Sequence, residues 1–289
     1  VVFTLIGLVV LFGCVIGGYV LHGGAIDILI QPTEVLIIGG AALGSLILGT
    51  PGKILGPFFK GVTHGIFGSG YTKAEYQELF QLLYETFTTM RKNGDMAVEK
   101  DVEDPHNSPI FSKYKGFLHN HAACNMLCDT LRLIVSGSAN PQEIEHLLDE
   151  DLATFEEEHH RPAAIVAKVG DALPALGIVA AVLGIIIAMG SLDAGPSVLG
   201  HKIGAALVGT FLGVLLSYGI VQPIAAKMEM LGQDEKKYLE CIKIAILAYL
   251  HGAAPIIAVE YARRVTFSGE RPSASELEQA CKGGAPAAA

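Results

Sequence analysis

The chain has 289 residues, a formal charge of −9, 51% hydrophobic residues and only 17% charged ones. That charged fraction lies well below the roughly 25% of soluble domains, and with a mean hydropathy of +0.46 it points to a membrane protein. The residues also exclude several function classes: there is no basic patch for nucleic acid, no glycine loop closing on Gly-Lys-Ser/Thr for nucleotides, and no nucleophile–base–metal constellation for an enzyme.

Residues 1–21 and 35–52 are uncharged and long enough to cross a bilayer at about 1.5 Å per residue. The first lacks the basic start and the cleavage site of a signal peptide, so it reads as a retained helix, with an initiator methionine expected ahead of Val1. Glu34 stands at the mouth of the second helix, where an interfacial anchor is the favoured reading over a cation attractor. The segment 53–170 is polar and reads as a helical domain. Residues 73–90 repeat Tyr76, Leu79, Phe80, Leu83, Tyr84 and Phe87 at helical spacing and stop at Asn93-Gly94. A second helix covers 119–136, and Asn140-Pro141 caps a third that runs through Glu158.

Two further uncharged runs follow, 172–190 and 203–226, each with one proline: Pro174 and Pro223. Each proline removes a helical hydrogen bond and frees a carbonyl. Both are read at one membrane depth, as a ring of loosened backbone around a group that changes its charge. Asp171 lies one turn before Pro174, where capping and an ion-releasing role weigh equally. No acid stands in mid-span, so a titrating group is expected from a partner. Small residues four apart (Gly13/Gly17, Gly40/Gly44, Gly177/Ala181, Ala205/Gly209/Gly213) predict close helix packing, within the chain or in an oligomer.

Lys and Arg give the orientation. The link 22–34 has none and the link 191–202 has only Lys202, while every other one of the twenty lies in 53–168 or from Lys227 onward. Both termini and the central domain are therefore expected in the cytoplasm. The expected fold is an all-α integral membrane protein. It has transmembrane helices one and two in 1–52, a helical cytoplasmic domain in 53–170, helices three and four in 171–226, and a tail in 227–289. The tail is helical to about residue 258, and 281–289 reads as disordered.

His119, His121, Cys124 and Cys128 have metal-like spacing, as does the run Glu156–His160. Packed thiols and a solvated charge run are the favoured readings, and no metal or other cofactor is expected. The five cysteines fit reduced thiols.

Gly170-Asp171-Ala172-Leu173-Pro174-Ala175-Leu176-Gly177-Ile178-Val179-Ala180-Ala181 strongly resembles the third-helix signature of the flagellar stator family MotA. Gly204-Ala205-Ala206-Leu207-Val208-Gly209-Thr210-Phe211-Leu212-Gly213, followed by Tyr218-Gly219 and Pro223, resembles its fourth-helix signature. The resemblance extends to Gln31-Pro32-Thr33-Glu34, to Leu131-Arg132-Leu133-Ile134 with Ser136-Gly137, and to Val259-Glu260 and Glu270-Arg271-Pro272-Ser273.

It implies a pentameric ring in the bacterial inner membrane around a MotB-type partner that supplies a transmembrane aspartate, and a cytoplasmic domain that pushes on the rotor protein FliG. Pro174 and Pro223 match the family's functional prolines, Thr210 a polar position facing the ion path, and Arg91 and Glu99 the rotor-contacting charge pair. Ala181 fills the slot where sodium-type relatives carry threonine, so a proton is the expected coupling ion and sodium the less favoured one. The alternatives are an ExbB- or TolQ-like energiser of outer-membrane processes, against which the first helix pair and Arg91/Glu99 argue, and a non-conducting membrane scaffold.

Overall fold

The structure, a computed structural model, describes residues 2–138 and 140–283, except for the side chain at position 60. The described residues form helices joined by turns and short 3-10 segments, with no strand among them. In chain order the helices are α1 (Val2–Leu21), α2 (Ile26–Leu29), α3 (Pro32–Gly49), α4 (Gly52–Phe67), α5 (Lys73–Asn93), α6 (Glu99–Glu103), α7 (Lys115–His119) and α8 (His121–Ser136). They continue with α9 (Pro141–Met189), α10 (Pro196–Leu216), α11 (Gln222–Leu250), α12 (Pro255–Val265) and α13 (Ala274–Gly283). Four stretches are long and apolar enough to cross a membrane, within α1, α2–α3, α9 and α10–α11.

Local chemistry sets the helix ends. Thr72 and Glu75 cap α5 reciprocally, the Thr72 N–H donating to Glu75 Oε2 at 2.7 Å. Gly94, at φ +85°, takes the backbone out of the helix there. Asn140 and Glu143 make the same reciprocal cap for α9, at 2.9 and 3.0 Å. Gly137 ends α8 in the left-handed region. The helix read through Glu158 and on toward the membrane runs without a break through Pro162 and Pro174 to Met189. Asp171 is therefore mid-helix and caps nothing.

The chain forms two compact units, Val1–Ser69 with Glu158–Leu231, and Gly70–Glu157 with Gly232–Ala289. The charge pattern had put its boundaries at 52/53, 170/171 and 226/227. The structural ones differ because α4 and the segment after Glu158 pack with the apolar helices.

In the first unit, α3 buries Ile38 and Ala42 against Leu173 and Ala180 of α9, with Leu212 and Leu216 of α10 alongside. Phe58 of α4 lies in a second cluster with Leu46, Ala163, Val166, Ala225 and Met228. Lys227 donates to the Ile66 carbonyl at 3.1 Å, placing a cation at the C-terminal end of α4, where the helix dipole favours it. No residue of α1 is buried.

In the second unit α5 is the central rod. Tyr76, Leu79, Phe80, Leu83, Phe87 and Met90 are buried, as the periodicity predicts, and Tyr84 of the same stripe is half-buried. Leu127 and Leu131 of α8, Ile242 and Ile246 of α11 and Val259 of α12 complete this core. Tyr71 stacks on Tyr238 and Phe87 on Tyr249, with ring centroids 4.2 and 4.7 Å apart. Cys124 and Cys128 are also core residues, and the hydrogen bond with Cys124, together with burial, pushes the Cys128 thiol up. Lys73 of α5 pairs with Glu276 of α13 at 2.8 Å, and Cys281 is buried. The disorder expected of 281–289 is thus wrong for 281–283, which complete α13; positions 284–289 lie outside the described residues.

One acid in this unit has a measurable consequence. The Arg263 guanidinium, and then that of Arg264, hold the Glu260 carboxyl down to about 2 against the upward push of burial. Its folded value lies below the ordinary 4.5, so the stability it contributes is present above that value and is lost as pH falls through about 2. Glu260→Gln is expected to lower the melting temperature of the detergent-solubilised chain at pH 7, with the gap to wild type closing between about 4.5 and about 2. A gap that is the same at every pH would mean that the ion pairs add nothing.

Candidate functional site

The contact of α9 with α10 is built on glycine. A Cβ added to Gly213 would sit 2.6 Å from the Leu173 carbonyl oxygen and 2.9 Å from Gly177 Cα. One added to Gly177 would sit 2.8 Å from the Gly209 carbonyl oxygen and 3.3 Å from Thr210 Cα. These helices touch backbone to backbone, as small residues four apart allow. The stripes Gly177/Ala181 and Gly209/Gly213 are thereby accounted for within one chain. Gly13, Gly17, Gly40 and Gly44 instead face open space in the single chain.

Pro174 sits one turn from this contact and is half-buried. It has no N–H to give the Gly170 carbonyl. The hydroxyl of Ser217, which is fully buried, takes that carbonyl at 2.7 Å. Ser217 also opens a π turn, Ser217–Val221, which ends just before Gln222 and Pro223. Gln222 reaches back to α9, its Nε2 donating to Asp171 Oδ1 at 2.6 Å and to the Ala167 carbonyl at 3.2 Å. A polar knot of Gly170, Asp171, Ser217 and Gln222 therefore ties α9 to the α10–α11 junction.

The register corrects the reading of the two prolines. Ser217 lies level with Gly170, Gln222 with Ala167 and Asp171, and Gly213 with Leu173 and Gly177. Pro174 is then level with residues near 215 and Pro223 with residues near 166. At about 1.5 Å per residue they stand some two turns apart rather than at one depth. Pro223 and Asp171 are exposed in the single chain, Thr210 is half-buried and Ala181 is buried. Ala181 and Thr210 come together at the Gly209 level, where a Cβ on Gly209 would lie 3.2 Å from the Ala181 nitrogen.

Beside this level, toward Met189, lies an acid read from sequence as an anchor at the helix mouth. Glu34 is only 7% exposed. Its Oε2 would lie 2.6 Å from a Cβ on Gly209, and its Oε1 3.6 Å from one on Gly184. The anchor reading fails because the side chain turns inward, into a notch left by missing side chains.

Arg91 and Glu99 lie in the second unit, both exposed. Arg91, in the last turn of α5, donates to the Ala253 carbonyl at 3.0 Å, and Glu99 opens α6. Lys92, Asp95 and Lys100 are exposed around them. Among the described residues no three His, Cys, Asp or Glu side chains gather as a metal site.

Sequence reading missed Ser217 and Gln222. The available signal was the orphan carbonyl that each proline implies, which requires a donor, and these are polar residues inside an otherwise apolar run.

Comparison with known proteins accords with this arrangement. Residues 5–94 match the family described as Motility protein A N-terminal, and residues 118–241 match the MotA/TolQ/ExbB proton channel family. The chain is 44% identical to Motility protein A of Escherichia coli over 275 residues, covering 95% of this chain and 93% of that one. It is 27% identical to chemotaxis protein PomA of Vibrio alginolyticus, covering 93% of this chain and 96% of the other. The flagellar MotAB stator complex from Bacillus subtilis superposes with a TM-score of 0.70 at 26% identity, covering 89% of this chain and 92% of that one. The C. jejuni MotAB structure shares the fold, with a TM-score of 0.78 at 23% identity, over 93% of this chain and 98% of that one.

Proposed function

The chain belongs to the motility protein A family of the MotA/TolQ/ExbB proton channels, a flagellar stator component and not an enzyme, and from that premise we propose that it couples proton flow to torque on a rotor. The observation that carries this is the knotted α9–α10 pair. Two apolar helices in backbone contact hold Ala181 and Thr210 at one level, with Pro174 about two turns along α9 and Asp171 a turn beyond it. It is an all-α protein of the bacterial inner membrane that works with a MotB-type partner in an oligomer.

The finer assignments are proposals. The lysine and arginine distribution supports cytoplasmic termini and a cytoplasmic second unit. The open glycine stripes of α1 and α3 support contacts with lipid and with further copies of the chain, in a pentamer by the family resemblance. Ala181 adds no oxygen ligand, which supports the proton over sodium. Exposed Arg91 and Glu99 offer the charges a rotor protein such as FliG would meet. Transfer down the membrane potential supplies about 2.3 kcal/mol per charge per 100 mV.

The test is swimming of a flagellated, stator-lacking cell given this chain and its partner in sodium-free buffer. Swimming that a protonophore abolishes is the expected result. Swimming only after sodium is restored would overturn the ion. Immobility in both buffers, with both proteins in the membrane, would overturn the stator reading.

A further inference from the structure

We propose that Glu34 is a second proton-accepting station in the membrane, carried by this chain itself and lying on the Met189 side of the Ala181–Thr210 level. The inference rests on the channel reading above. It adds a titrating group to a path whose expected carboxylate comes from the partner.

An ionised carboxylate taken out of water costs several kcal/mol unless it is paired. Glu34 is 7% exposed and its Oε2 has no hydrogen-bond partner. It lies in the first turn of α3 and could have turned to solvent, as first-turn acids commonly do. Instead it points into a notch made by Gly184 of α9 and by Ala206 and Gly209 of α10, with the Ala180 side chain and the Ala181 backbone beside it. A Cβ on Gly209 would stand 2.6 Å from Oε2, so even alanine there would require the carboxyl to move. Gly184 and Ala206 are themselves in contact, a Cβ on the former lying 2.6 Å from the Ala206 Cβ.

The charged groups on the packed elements do not account for this acid. Asp27 lies on α2 and has the same sign. On α10, His201 and Lys202 stand about two turns before Gly209, and the Lys202 ammonium donates to Ser191 Oγ at 2.5 Å. On α9, Asp171 lies more than three turns from Gly184 and is held by Gln222. What neutralises Glu34 is therefore a small cation. The notch selects among cations: its walls are alanine and glycine carbon, and one carboxylate offers too few oxygens for a dehydrated metal ion. A proton needs only one. Thr210, next to Gly209, places this carboxyl within about a helical turn of the expected ion path.

The experiment uses the complex of this chain with its partner in liposomes, with dicyclohexylcarbodiimide as the probe, since it reacts with protonated carboxyls in apolar surroundings. Labelling of Glu34, read by mass spectrometry, is expected to fall as pH is raised from about 5 to about 9. Glu34→Gln, which keeps size and shape but cannot titrate, is expected to lower proton flux about tenfold, and Glu34→Asp to retain most of it. Labelling that is absent or independent of pH overturns the proposal. So does a Glu34→Gln complex that conducts like wild type. If Glu34→Gln does not assemble, the labelling of the wild-type chain decides alone. A wild-type complex with no proton flux at all overturns the channel reading instead, so the two failures are distinct.

Discussion

Gly213→Val is expected to cost at least about 3 kcal/mol and to abolish proton flux, because the new side chain meets backbone rather than another side chain. The first added carbon already falls 2.6 Å from the Leu173 carbonyl oxygen and 2.9 Å from Gly177 Cα. A neighbouring rotamer could yield to it, but a helix backbone yields only by moving whole. Separating α9 from α10 breaks the Ser217–Gly170 and Gln222–Asp171 bonds together and widens the notch around Glu34. Gly213→Ala is expected to go the same way by a smaller amount. Gly200 faces open space on the same helix, so Gly200→Ala is the matched control and should leave assembly unchanged. Recovery of the complex from detergent and flux in liposomes read both effects. Wild-type flux from Gly213→Val would show that the α9–α10 contact is not part of the mechanism.

The second large effect concerns Pro174. Pro174→Leu restores an N–H at position 174, which can bond the Gly170 carbonyl within α9 and displace the Ser217 hydroxyl. The joint between α9 and the π turn then loses its tie, and α9 becomes an unbroken ladder through the level where the path must change state. Swimming is expected to stop while the chain remains in the membrane. Ser217→Ala acts in the opposite sense. It leaves the Gly170 carbonyl without a donor in an apolar setting and is expected to destabilise the chain by about 1–3 kcal/mol. The two substitutions should not add. In the double variant the restored N–H serves the carbonyl that Ser217→Ala orphaned, so the double variant should melt higher than Ser217→Ala alone. Strictly additive melting shifts would separate the two residues, and normal swimming by Pro174→Leu would remove the proline from the mechanism.

These two expectations mark how far sequence reading reached. Apolar run length and helical periodicity are local properties, so α1, α3, the α5 face and the pair α9 and α10 were all legible, as were the caps at Thr72 and Asn140. The resemblance of 170–181 and 204–213 carried the family. Pro174, Ala181 and Thr210 are candidates by that resemblance, and the structure separates Pro174 from Pro223 by about two turns. A proline also announces an unserved carbonyl wherever it stands inside a helix. What it cannot announce is the donor, because Ser217 lies 47 residues from the Gly170 carbonyl it serves, at the far end of another helix.

Register, burial and pairing belonged to the tertiary structure alone. Glu34 reads as an interfacial acid from its place in the chain, two residues after a proline that begins a helix. It is buried because glycines and alanines on two other helices leave room for it. Composition sets a boundary between the central domain and helix three at 170/171, yet α9 runs through it, because a helix turns on backbone hydrogen bonding and packing rather than on the change from polar to apolar side chains. Length, hydrophobic period and end caps act over a few residues and are written in the sequence. The solvent that each polar atom sees is fixed by atoms far along the chain, and only the packed helices decide it.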